Sequence, residues 1–159
     1  MTFYSFDSDS FISSWRVYYS TESFPDVWEC LDRLMRLGRL RCAEPVYEEI
    51  EKGGDELCNW IKARKDLVVY PWDQPIQRAV RDIQRQYTNL VNPNGGSGAD
   101  PWVIALAKIM NGCVVTYEKK VGPGAKYVKI PNVCEGCGVS YTNVFGVIAR
   151  EKWVFRLER

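Results

Sequence analysis

Apolar residues recur along this chain at two spacings, and the switches between them mark out the elements. Thr2 to Phe6 reads as a short first strand rich in aromatics. Asp9 or Ser10 can cap a helix running to about Tyr18. A second helix starts near Pro25, with Ser23 before it. It carries Val27, Trp28, Leu31, Leu34 and Met35 on one face and stops at Gly38. Arg39 to Ala43 reads as a short second strand. Pro45 in the first turn opens a helix through Lys52 that Gly53-Gly54 ends, and another runs from about Asp55 to Ala63. Leu67 to Tyr70 is a short apolar run, strand or loop. From Pro75 to Leu90 the pattern is helical, with Ile76, Ala79, Val80, Ile83, Tyr87 and Leu90 in one stripe. VNPNGGSG, residues 91–98, reads as a flexible loop within a domain. Asp100-Pro101 begins an Ala- and Leu-rich helix ending at Gly112. Cys113 to Tyr117 follows as a strand of the buried parallel type. After a second flexible loop, VGPGAKYV, come a mixed helix-and-turn segment over Ile130 to Val139 and a last helix over Thr142 to Lys152. Trp153 to Leu157 reads as an edge strand.

Strands that alternate with helices predict an α/β fold: a central parallel sheet of four to five strands with helices on both faces. The 159 residues suffice for one domain, 1–159, with a real core, and an apolar fraction of 46% excludes global disorder. No apolar run approaches the roughly 20 residues of a membrane span, and the N-terminus has no signal-peptide core. A cytoplasmic protein is the expectation. Six cysteines read as small core residues in a reducing compartment. Cys134-Glu-Gly-Cys137 has no second ligand pair, so packing or a turn explains it better than zinc.

Composition then narrows the chemistry. The chain has no histidine, which removes Ser-His-Asp and Cys-His nucleophile systems, HExxH zinc sites and imidazole acid–base pairs. A hydrolase built from this sequence must work with carboxylates. Asp7 and Asp9 directly follow the first strand, Asp100 opens the Ala-rich helix, and Glu118 ends CVVTYE; Glu49 lies within a helix, four residues before Gly53. Ligands of parallel sheets bind beyond the carboxyl ends of the strands, where several of these acids fall. Carboxylates sharing a pocket repel one another unless a cation neutralises them. Oxygen ligands select hard cations, Mg²⁺ or Mn²⁺. Each acid also has an ordinary reading: Asp100 and Asp9 as helix caps, Glu49 as part of a solvated face, Glu118 as a loop residue paired with a lysine. The net charge of +1 announces no nucleic-acid partner, so a polyanion site would need a local patch. Lys119, Lys120, Lys126 and Lys129 form one candidate, and Arg78, Arg81 and Arg85 at helical spacing form another.

In order and context the acids resemble the motifs of the PIN domain family. That family's first strand ends in Asp-Thr-Asn, where this chain has Asp7-Ser8-Asp9. Its helical Glu-Leu-x-x-Gly is matched by Glu49-Ile50-Glu51-Lys52-Gly53. Its Ala-Asp-x-x-Ile-Ala-x-x-Ala is matched by Ala99-Asp100-Pro101-Trp102-Val103-Ile104-Ala105-Leu106-Ala107, and its Val-Thr-x-Asp by Val115-Thr116-Tyr117-Glu118. FDSDSFI, EEIEKGGDEL, ADPWVIALAK and VVTYEK look closest to a bacterial PIN-like branch known as a domain of unknown function. The resemblance implies a VapC-type toxin, a small Mg²⁺- or Mn²⁺-dependent endoribonuclease restrained by an antitoxin protein. Asp7, Glu49, Asp100 and Glu118 would be the catalytic acids, with Asp7, Asp100 and Glu118 as metal ligands and Asp9 and Thr116 in supporting roles. Lys119 and Lys120 would meet the RNA substrate, no membrane is implied, and a homodimer is left open as the assembly. Asp9 stands where the family has asparagine, Glu118 where it has aspartate, and lysines rather than a further acid follow Glu118. Strand-Asp7-Ser8-Asp9 also resembles the opening motif of haloacid-dehalogenase-type phosphatases, with Asp7 as nucleophile. The altered acids also fit a PIN-like interaction module without activity.

Overall fold

A computed structural model describes residues 1–91 and 98–158, so the loop expected at 91–98 lies, apart from its two end residues, outside the described residues. Five short parallel strands form one sheet in the order β3-β2-β1-β4-β5. They are β1 (Tyr4–Phe6), β2 (Leu40–Ala43), β3 (Val69–Tyr70), β4 (Cys113–Val115) and β5 (Ser140–Thr142). β1 and β4, next to each other, are buried throughout, as suits strands covered on both faces.

The connections are helical. β1 leads to α1 (Ser8–Ser13), which continues as a π-helical turn over Ser14–Tyr18, and then to α2 (Pro25–Arg36). Gly38, at φ +69°, ends α2 in the left-handed conformation that glycine adopts without strain. α3 (Glu44–Glu51), α4 (Glu56–Lys62) and α5 (Lys65–Val68) join β2 to β3. α6 (Gln74–Gln86) and α7 (Asp100–Ile109) carry the chain back past β1 to β4. α8 (Ile130–Cys137) precedes β5, and α9 (Val144–Arg150) follows it. Right-handed crossovers place the helices between β1 and β3 on one face and those between β3 and β5 on the other.

The predicted stripes face the core. Val27, Trp28, Leu31, Leu34 and Met35 of α2 are buried, as are Ile76, Ala79, Val80 and Ile83 of α6. α7 is buried on most sides, from Val103 through Ala107, because it lies across β1, β2 and β4. Gly112 lets the chain turn into β4: a Cβ there would sit 2.6 Å from the Phe3 carbonyl oxygen. At the end of the sheet remote from the strand C-termini, Arg39 grips Glu151 with two hydrogen bonds of 2.8 and 2.6 Å, and Tyr4 donates to the same carboxylate at 2.7 Å.

Two expectations are corrected. Trp153 to Leu157 is not a strand, and Val154, Phe155 and Leu157 are exposed. The fifth strand is Ser140–Thr142, which pairs with β4, and the last helix begins after it, capped by Asn143. Asp100 is also not a helix cap. Ala99 holds that position and Asp100 is the first helical residue, so its carboxylate is not committed to a capping bond.

Candidate active site

The sheet order reverses between β1 and β4, the place where open parallel sheets form a crevice beyond their strand ends. Asp7 leaves β1 there. Its backbone N–H donates to the Val115 carbonyl of β4 at 3.1 Å, and its side chain caps α1 by accepting the Ser10 N–H at 2.7 Å. The Ser10 hydroxyl donates to the same Val115 carbonyl at 2.8 Å, which locks β1, α1 and β4 together. Asp7 is 6% exposed. Burial pushes its pKa up from 3.8 to about 6 despite hydrogen bonds from Thr116 and Ser10 that favour the charged form, and Glu118 adds to the rise.

Asp100 comes to the same pocket from the start of α7. Burial, then the charges of Glu118, Asp7 and Glu49, raise its pKa from 3.8 to about 7, and Lys129 opposes them. Asp100 is therefore within electrostatic reach of three acids distant from it in sequence, and Asp7 within reach of Glu118. Glu49 and Glu118 are held by hydrogen bonds from neighbouring elements. Glu49 projects from α3, where Ser8 donates to its Oε2 at 2.5 Å. Glu118 follows β4; its Oε2 accepts the Ile130 N–H at 3.0 Å at the start of α8, and its own N–H donates to the Thr116 hydroxyl. Thr116, 2% exposed, links Asp7 and Glu118 through one side chain.

The remaining predicted residues are less central. Asp9 is exposed on α1 and accepts the Ser13 hydroxyl at 2.7 Å. Lys119 is exposed beside Glu118, whereas Lys120 forms an ion pair of 2.6 Å with Glu135. Arg78, Arg81 and Arg85 are exposed on α6, away from its buried stripe. Lys129, which precedes α8, is the cation that acts on Asp100; in sequence it was one lysine of a cluster. Its position before Ile130-Pro131, a helix start, was the available signal.

Among the described residues, no three Asp, Glu, Cys or His side chains stand close enough to hold a metal ion as they lie. The donor set nonetheless suits a hard divalent cation. All candidate ligands are carboxylate oxygens, Asp7 and Asp100 are driven toward the protonated state by burial and by neighbouring acids, and Lys129 opposes this at Asp100. A larger cavity of about 850 Å³ lies elsewhere, against Trp15, Trp28, Trp60 and the Asp32–Arg64 ion pair, and shares no residue with this pocket.

A family model described as "Domain of unknown function (DUF4411)" matches residues 4–155. The structure resembles VapBC-1 from nontypeable Haemophilus influenzae, with a TM-score of 0.57 and 16% identity over 90% of this chain and 98% of that one. It resembles VapBC2 from Rickettsia felis, solved bound to a DNA fragment from its promoter, with a TM-score of 0.54 and 11% identity over 89% and 98%. FitAcB from Neisseria gonorrhoeae gives a TM-score of 0.53 and 16% identity over 89% and 98%. No curated protein matches the chain.

Proposed function

The chain belongs to the family described as Domain of unknown function (DUF4411) and has a PIN-like α/β fold, and from that premise we propose that it is a metal-dependent endoribonuclease, the toxin of a toxin–antitoxin pair. The observation that carries the reading is that Asp7 after β1, Glu49 of α3 and Glu118 after β4 all act on Asp100, the first residue of α7, at the sheet's switch point. A buried acid pair with no metal to bind would be a cost without a return. The resemblance to complexes named VapBC and FitAcB supports a protein partner in the antitoxin role.

Asp7, Asp100 and Glu118, with Glu49 beside them, would hold Mg²⁺ or Mn²⁺. Such an ion, when bound, lowers the pKa of a water and neutralises charge on a phosphodiester. The chain's own residues supply position and charge. Ser10 and Thr116 aim the Asp7 carboxylate; Ser8 restrains Glu49; the α8 N-terminus fixes Glu118. Lys129 and Lys119 offer positive charge where an RNA phosphate would arrive. No helix among the described residues is long and apolar enough to cross a membrane.

The test is cleavage of a labelled RNA pool with Mn²⁺, with Mg²⁺ and with EDTA. Cleavage should need the ion, should leave internal ends, and should vanish in Asp7→Asn and Asp100→Asn. Full cleavage in EDTA, or by either variant, would refute the assignment.

A further inference from the structure

We propose that Cys134 and Cys137 form a dithiol modification site that low-molecular-weight disulfides oxidise, and that closing the bond loosens the hold of α8 on the segment carrying Glu118. The bond itself stands apart from the ribonuclease reading; its effect on cleavage rests on that reading. All six cysteines are free thiols. Two of them frame the last turn of α8: the Cys134 carbonyl accepts the Val139 N–H at 2.8 Å, and Gly138, at φ +69°, takes the left-handed position after Cys137. Residues three apart on a helix share a face, so the two side chains are neighbours. Cys134 is fully buried and Cys137 half-buried.

Tyr87, just after α6, hydrogen-bonds with the Cys137 thiol, and its hydroxyl lies so close to Gly136 that a Cβ there would collide with it. Glycine between the thiols therefore admits the phenol, and it leaves the turn free to tighten. Burial, then the charges of Cys137 and Cys113, push the Cys134 pKa up to about 12, so at neutral pH it is a protonated thiol and a poor attacker. Cys137, the more accessible of the two, attacks first. Its thiolate joins one half of the small disulfide and expels the other half as a thiolate. The Cys134 sulfur then attacks the Cys137 sulfur and expels the second half. Two protein thiols are oxidised, one small disulfide is reduced to two thiols, and the two protein protons pass through water to the expelled thiolates. An accessible thiol with a resolving thiol beside it is the arrangement that reversible redox sites use.

The same helix holds the segment after β4. The Ile130 N–H donates to Glu118 at 3.0 Å, Asn132 accepts the Val121 N–H at 3.1 Å and donates to the Val121 carbonyl at 2.9 Å, and Glu135 pairs with Lys120 at 2.6 Å. Glu135 lies between the two thiols in sequence. The β-carbons of residues three apart on a helix are about 5–6 Å from each other, whereas a disulfide needs about 3.5–4.5 Å. Closing the bond must therefore draw the two cysteines about 1–2 Å together. α8 has 8 residues, roughly two turns, so a distortion of its last turn has little length in which to die away before Ile130. The bridged turn also leads into β5, whose Thr142 carbonyl accepts the Thr116 N–H at 2.8 Å, and Thr116 in turn hydrogen-bonds Asp7.

The experiment equilibrates the full chain in buffers of stepped glutathione to glutathione-disulfide ratio, blocks the remaining thiols and maps the peptides by mass. The parent should lose the Cys134 and Cys137 thiols together and gain a bond between them. Cys134→Ser should stop with one glutathione on Cys137, and Cys137→Ser should keep Cys134 reduced. Cys30, half-buried on α2, is the reference thiol. Glutathione on Cys30 ahead of Cys137, or a mixed disulfide on Cys137 that Cys134 never resolves, overturns the site. Hydrogen exchange reads the coupling without metal or RNA. The Ile130 and Val121 amides should exchange roughly fivefold faster in the oxidised parent, about the worth of one hydrogen bond, recover with reductant and stay unchanged in Cys137→Ser. Equal exchange in the two states overturns the coupling. Cleavage is scored in the same samples. A bond with faster exchange but no cleavage in either state upholds the switch and sinks the ribonuclease reading. Cleavage that the bond does not lower overturns the coupling to Glu118 and leaves that reading standing.

Discussion

Replacing Asp7 by Asn should stabilise the metal-free protein at neutral pH. Asn keeps a side-chain oxygen for the Ser10 N–H, so the α1 cap survives. What is lost is a charge in a site that disfavours it. The Asp7 pKa rises from 3.8 to about 6 on folding, a shift that corresponds to about 3 kcal/mol between the two protonation states. For a raised acid the stability is fully present below the unfolded pKa, near 4, and falls as pH rises through about 6. Above that it stays low, because the ionised group is better solvated in the unfolded chain. Asp7→Asn removes this fall, and it also relieves Asp100, whose pKa Asp7 helps to raise. Part of the rise comes from the charge of Glu118, so about 3 kcal/mol is an upper bound for burial of Asp7 alone.

The window is clear of other effects. Asp32, Asp55 and Glu151 have lowered pKa values because arginines pair with them, so the stability they add is lost only as pH falls below the usual carboxylate range. Between pH 5 and 8 the carboxylates of the pocket dominate. At roughly 2–4 °C per kcal/mol for a chain of this size, Asp7→Asn should melt several degrees above the parent at pH 7.5 in EDTA. The difference should shrink to about a third near pH 4.5 and close as pH falls below about 4. Mn²⁺ at 100 times its dissociation constant should raise the parent by about 2.7 kcal/mol and leave the variant nearly unmoved. Thermal melts at the two pH values, with EDTA and with Mn²⁺, check all three points. A variant that melts at or below the parent at pH 7.5, or that keeps the full Mn²⁺ response, would refute the reasoning.

Glu151→Ala leaves Arg39 and the Tyr4 hydroxyl without their shared carboxylate, each side of the ion pair being 14% exposed; urea unfolding should show a loss of about 3 kcal/mol, and a loss under 1 kcal/mol would contradict the network's role. Gly112→Ala forces a Cβ onto the Phe3 backbone and should cost about 1–3 kcal/mol in the same assay. Lys129→Ala removes the cation that lowers the Asp100 pKa, so the Asp100 carboxyl should titrate higher by NMR; an unchanged midpoint would place Lys129 outside the pocket. Lys119→Ala should reduce the salt slope of RNA binding by roughly one unit, with Lys120→Ala less effective because Glu135 already holds that lysine.

How much was legible depends on whether a position answers to its own neighbours in sequence or to distant ones. α2, α6 and α7 were readable because an apolar stripe is a local pattern that any core will accept. β1 and β4 were readable because β1 is rich in aromatics, β4 is apolar, and they end abruptly at Asp7 and at Thr116-Tyr117-Glu118. β5 was not: Ser140–Thr142 is short and only half-buried, and it is a strand because β4 offers an edge to pair with. Trp153–Leu157 shows the converse, an apolar run with the strand pattern that is not a strand and does not join the five-stranded sheet. The same division runs through the pocket. Asp7, Asp100 and Glu118 sit at element junctions, which local signals locate. Lys129 and the Ser8 restraint on Glu49 depend on which segments the sheet order brings together. The strand order 3-2-1-4-5 makes the end of β1 adjacent to the end of β4, separated by more than a hundred residues of chain. That adjacency raises the pKa of Asp7 and of Asp100, with burial the largest cause and neighbouring acids adding to it, and perturbation of that kind is what separates a functional carboxylate from a helix cap.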